Sequence, residues 1–271
     1  MTRRTRETLE WRFVLHDWLS VHPVGPGVNL NVAARSPGAA TLCSTIGHHM
    51  REAFTEQLDG VSDELVNMTR MVGSAMNRAT QALLDADLKL AEEVIAADAA
   101  VDTITSEVED RCFDLIALQG PVASDLRVVI GALRIASSLE RMGDLAEHVA
   151  KQARMRYPAV AVPQELRGTF AEMGGIAEAI VSQTGAVIAT KDVSLATDIA
   201  RHDQQMDHFH RELFRIVLSP SWSHGVEAAV DVTLLSRFYE RYADHAVSVT
   251  KRVVTIVTGE PYAGVALDAT A

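Results

Sequence analysis

Cysteine is nearly absent: Cys43 and Cys112 are the only two in 271 residues. Two thiols, one of them within an amphipathic segment, make neither a disulfide framework nor a zinc site. Packing is the ordinary role of Cys112, and a reducing, cytoplasmic setting follows. Aromatics are scarce at 5 %, whereas the hydrophobic share is 48 % and rests on small and aliphatic residues. That balance suits closely packed helices more than a sheet. No stretch of about 18 apolar residues occurs, so no membrane span is expected. The start, MTRRTRETLEWRFVLHDW, is a poor secretion signal, because Arg12, His16 and Asp17 interrupt any apolar stretch after its first charges. There is no phosphate-binding Gly-Lys loop and no local basic nest, so direct phosphate binding is not expected.

Positive charge is also in short supply. The formal net charge is −11. The first 49 residues hold five Arg against Glu7, Glu10 and Asp17, a balance of +2, which leaves −13 for residues 50–271. A body that acidic repels phosphate backbones, so nucleic acid is excluded as its natural partner, and cations or basic surfaces are the company it attracts.

Pro and Gly in VHPVGPGVNLNVAARSPGAATLCSTIG break any helical or alternating period. Residues 1–49 are therefore expected to be a disordered extension or leader, with Met50 as the native start. From there the period is helical. Phe54, Leu58, Val61, Leu65, Met68 and Val72 step by three and four into a first helix, and Leu90, Val94, Ala97, Val101, Ile104 and Val108 mark a second. Gly120 and Pro121 stop that one, and Leu126, Val129, Leu133, Leu139, Met142, Ala146 and Val149 mark a third.

After a linker at residues 158–163 the programme repeats, with helices marked by Phe170 to Val187, Leu195 to Leu213 and Val230 to Val253. Asp87, Leu90, Ala91, Asp98 and Asp102 recur 105 positions on as Asp192, Leu195, Ala196, Asp203 and Asp207. Glu140, Arg141, Asp144, Ala146, Val149 and Lys151 recur 100 positions on as Glu240, Arg241, Asp244, Ala246, Val249 and Lys251. The predicted fold is all-α: two tandem three-helix bundles of six helices, over 50–157 and 164–259, related by a pseudo-two-fold repeat, with a tail at 260–271.

The repeat doubles an acidic pattern. Asp98 and Asp102, and Glu140 and Asp144, lie four apart beside the apolar stripes of their helices. Like charges at that spacing repel. One such pair is an ordinary solvated stripe, balanced by residues such as Arg141. Matched pairs in both halves, as Asp203, Asp207, Glu240 and Asp244 complete them, point to carboxylates converging on a cation between antiparallel helices. Hard oxygen donors suit Mg²⁺, Mn²⁺, Ca²⁺ or iron, and His210, two turns after Asp203, could add an imidazole. Gly143 and Ala243 leave room for close approach. A ferritin-like metal-storage bundle, the alternative reading, needs Glu-x-x-His on two helices, and only Asp207-x-x-His210 comes near it. His48, His49, His202, His208 and His224 have no nucleophile partner, and no catalytic residue is assigned; the chain reads as a non-enzyme.

Pro121 to Lys151, PVASDLRVVIGALRIASSLERMGDLAEHVAK, resembles the signature of PhoU-type phosphate-signalling regulators, and Ala228 to Val253 is similar to that family's second copy. The resemblance spans about Met50 to Gly259. Here Ala243 replaces the first copy's Gly143, and Tyr242 is bulkier than Met142. The resemblance implies a homodimeric, cytoplasmic, non-enzymatic negative regulator of phosphate uptake and of the phosphate-starvation response. It implies Mg, Mn or Fe ions near Glu140 and Asp144 and near Glu240 and Asp244. Its implied partners are the ATPase of the phosphate ABC transporter and a PhoR-type sensor histidine kinase, with membrane contact only through them.

Overall fold

The computed structural model describes residues 37–260, and side chains from residue 51 onward. All of the elements are helical: α1 (Pro37–Asp85), α2 (Leu88–Gln119), α3 (Ser124–Arg156), α4 (Arg167–Thr190), α5 (Ala196–Val217) and α6 (Gly225–Thr258), with 3₁₀ turns at Gln164–Leu166 and Val193–Leu195. No strand occurs among the described residues. None of these helices is long and apolar enough to cross a membrane.

Most boundaries have a local cause. Asp87 caps α2 by accepting from Leu90 N at 3.0 Å, and its repeat mate Asp192 caps the turn before α5 by accepting from Ser194 N at 2.9 Å. Gly120 ends α2 and Gly259 ends α6, both with the left-handed backbone that closes a helix. The largest difference from the sequence reading is at α1, which begins at Pro37, ahead of Met50 where the apolar period starts. Proline is well suited to the first helical position, and once a helix is nucleated each added residue extends it at little cost. The expectations for residues 1–36 and 261–271 lie outside the described residues. The second copy's shorter span between its last two helices is taken from α5, which stops at Val217; the connection Leu218 to His224 is the longer of the two.

Within each half the helices run antiparallel. Arg78 reaches Glu93 between α1 and α2, and Gly143 on α3 faces Asp98 on α2. Helices α3 and α6 form the centre, each packed on the other and on an outer helix of its own half. Leu139, Met142, Ala146 and Val149 of α3, with Tyr239, Tyr242, Ala246 and Val249 of α6, are completely buried in one apolar core that runs through both halves. Met142 and its bulkier mate Tyr242 are thus both core residues.

Helices α1 and α4 cross closely because glycine allows it. A Cβ on Gly174 would meet Thr80 Cγ2 at 2.7 Å, and one on Gly185 would meet Thr69 Oγ1 at 2.6 Å. Thr80 in turn shares a 2.6 Å hydrogen bond with Tyr239 of α6.

Candidate metal centres

Packing α2 against α3 brings the first acidic set together along one seam. The carboxyl of Asp98 is half-buried and pushed up to about 6, first by burial and then by the charges of Glu147, Asp102 and Asp144. Burial, reinforced by Asp144, also raises Glu140. Gly143 permits the approach: a Cβ there would stand 2.9 Å from Asp98 Oδ1. Cationic compensation is local and partly exposed. Arg141 reaches Asp144 at 2.6 Å and Glu140 at 3.4 Å, and Lys151 reaches Glu147 at 2.5 Å.

Between α5 and α6 the second set repeats the arrangement. Asp203 is pushed up to about 6 by burial, then by Asp207 and Asp244, while Lys251 pulls the other way. Glu240 is raised by burial and then by Asp244. Arg237 binds Glu240 Oε1, but Glu240 Oε2 is buried with no hydrogen-bond partner. A buried, unpaired carboxylate oxygen is costly unless it gains a proton or a cation.

All eight expected acids thus fall on the two seams, four to a seam. Among the described residues, however, no three His, Cys, Asp or Glu side chains converge tightly enough to hold a metal ion as they stand. Two further acids belong to the first seam. Glu147 exerts the largest charge effect on Asp98. Glu109, with Asp102 and Glu140, lines a cavity of about 250 Å³ whose remaining walls are Thr105, Ser106 and Ser137. Glu109 follows Asp102 by two turns on one helix face, so its position was available from the spacing; Glu147 lies on the same stripe as Glu140 and Asp144. Its repeat mate is Val247, so the two seams are not equivalent. His210 is engaged elsewhere. Its Nδ1 pairs with Ser236 Oγ at 3.0 Å and its ring meets Phe214 edge-on. The donor chemistry of both seams is all oxygen, which suits a hard cation, and a cation there would neutralise acids that burial now forces toward the protonated form.

The PhoU domain model matches residues 65–153 and 170–253, one segment in each half. The phosphate-specific transport system accessory protein PhoU homolog 2 of Mycobacterium tuberculosis is 49 % identical over 210 residues, covering 78 % of this chain and 99 % of the relative. Homolog 1 of Mycobacterium leprae is 48 % identical, with 78 % and 95 % covered. Among solved structures, the phosphate transport system regulatory protein PhoU of Streptococcus pneumoniae aligns with a TM-score of 0.69 at 26 % identity over 77 % of this chain and 99 % of its own. With both repeats matched and nearly the whole of these relatives spanned, the chain belongs to the PhoU family, the accessory proteins of phosphate transport systems.

Proposed function

We propose that this protein is a cytoplasmic negative regulator of phosphate uptake and of the phosphate-starvation response. It acts as a homodimeric, metal-binding adaptor between the ATPase of the phosphate ABC transporter and a PhoR-type sensor histidine kinase, and it does so as a regulator and not as an enzyme. The observation that carries this reading is the family match in both halves, together with relatives named as transport accessory proteins along nearly their full length.

The acidic seams supply the physical part. Asp98, Asp102, Glu140 and Asp144 would hold one hard cation, and Asp203, Asp207, Glu240 and Asp244 a second, with Mg, Mn or Fe as the candidates. A cation shared by two neighbouring helices ties them together and removes part of the negative field of the surface. Both effects change which basic partner surface the protein engages. The test of the regulatory role is a strain lacking the gene, grown in ample phosphate. Alkaline phosphatase activity and phosphate uptake are expected to rise; unchanged levels of both would contradict the proposal.

A further inference from the structure

The α3–α6 crossing has two ends related by the internal repeat, and they are built from opposite chemistry. At one end the protein supplies its own anion. Asp231 of α6 is buried, 3 % exposed, and accepts from Gln152 Nε2 at 2.6 Å, from Arg156 Nε at 2.5 Å and from Arg156 Nη2 at 2.8 Å. Glu227 binds the same guanidinium.

The repeat offset of 100 maps this cluster onto the other end. There Asp231 becomes Gly131, Gln152 becomes Arg252, Glu227 becomes Arg127 and Leu234 becomes Arg134. Both acids are gone, and three cations have arrived in exchange for a neutral amide, an acid and a leucine.

The result is a cavity of about 400 Å³ between α3 and α6, walled by Arg127, Arg134, Lys251 and Arg252 with the hydroxyl residues Ser248 and Thr255. Among the described residues no carboxylate lines it, and none of its four cations takes part in an ion pair. Arg252 Nε is buried without a hydrogen-bond partner. The Arg252 guanidinium is held below its usual range by burial and then by the charge of Arg134. Arg127 is placed by the end of α6, where a Cβ on Gly259 would stand 2.9 Å from its Nη1. Gly131 takes the place of the missing acid and is backed by Ile256, whose Cδ1 would lie 2.4 Å from a Cβ at that position.

Lys251 also faces the charge of Asp203, but Arg127, Arg134 and Arg252, one of them with an orphaned guanidinium N–H, have no counter-charge of their own, and an anion entering from solution offsets their mutual repulsion. A tetrahedral oxyanion of charge two or more matches the inventory: its oxygens accept from forked guanidinium donors, and its charge offsets more than one of them. We propose that the α3–α6 groove around Arg252 is a binding site for a phosphate-class anion, orthophosphate or a short polyphosphate. Such a ligand would tie α3 to α6 across the two halves, as Asp231 and Arg156 do at the opposite end. Scanning for a contiguous basic nest misses this site because its cations come from two helices more than one hundred positions apart.

The site stands on this geometry and does not depend on the acidic seams binding metal. The test is calorimetric titration of the full chain at low ionic strength with orthophosphate, pyrophosphate and, as a control, acetate. The comparison variants are Arg252→Gln and Arg134→Leu, which copy the repeat mates Gln152 and Leu234. Arg134 is exposed, so its replacement leaves the core intact. Orthophosphate or pyrophosphate is expected to bind, acetate to bind far less, and each variant to lose roughly tenfold or more in affinity with helical content and bound metal unchanged. Whichever phosphate binds tighter identifies the source. No phosphate binding by the wild type, or equal binding by both variants, overturns the proposal.

Discussion

At the scale of single residues, the acidic seams make a prediction about protons. Asp98 has an ordinary unfolded-state carboxyl and a folded-state one pushed up to about 6. Below the unfolded value both states are protonated and the residue is neutral in its effect. As pH rises through the window up to about 6, the folded state must give up a proton it holds more tightly than the unfolded chain does, so stability falls. His210 and His245, whose burial lowers them, act in the opposite direction over part of that range, so the contribution of Asp98 is read as a difference. In chelator-treated protein, Asp98→Asn is expected to match the wild type in stability only below the unfolded carboxyl value of 3.8, near pH 3, and to be the more stable of the two at pH 7.5. The gain is on the order of 1 kcal/mol once solvent screening of a half-exposed carboxyl is allowed for. Thermal unfolding of both proteins across that range checks it, and a pH-independent difference would contradict the electrostatic account of the seam.

At the scale of helices, two contacts carry specific expectations. The α1–α4 crossing leaves no room beside Gly174 and Gly185, and Thr80 is held by Tyr239 and by Met76 O at 2.8 Å. Gly174→Ala is therefore expected to destabilise by about 1–3 kcal/mol, despite alanine's better helix propensity. Denaturant unfolding measures this, and a stabilised variant would mean that the helices move apart freely. At the α3–α6 crossing, Asp231→Ala removes the acceptor of Gln152 and Arg156 and is expected to cost roughly 3 kcal/mol by the same assay. The helices themselves were legible in the sequence, because apolar spacing and the caps Asp87 and Asp192 act locally. The doubled spacing put the eight acids at the edges of buried stripes, but no three of the described side chains converge tightly enough to hold an ion as they stand. The spacing also placed Glu109 and Glu147 on the faces of their helices, but not which residue of a neighbouring helix each one faces. The cations around Arg252 were invisible for a plainer reason, being solitary residues in sequence that only the α3–α6 register brings together. The start of α1 at Pro37 was missed because no apolar helical period runs through residues 37–49 of the sequence.

For the whole molecule, the −13 carried by residues 50–271 is distributed with purpose. Acids gather on the seams α2–α3 and α5–α6, while one end of the central crossing is basic, so opposite charges are kept in separate places of one chain. Membership in the PhoU family gives such a chain a setting among phosphate transport accessory proteins, and the seams give a means by which ions could alter its surface and its rigidity. The most direct measurement is metal content. After equilibrium dialysis against Mn²⁺ or Mg²⁺ at pH 7.5, the wild type is expected to retain about two ions per chain, one per seam. The Asp144→Asn, Asp244→Asn double variant is expected to lose most of that metal while keeping its helical content; equal metal in the two proteins, or none in the wild type, would contradict the account.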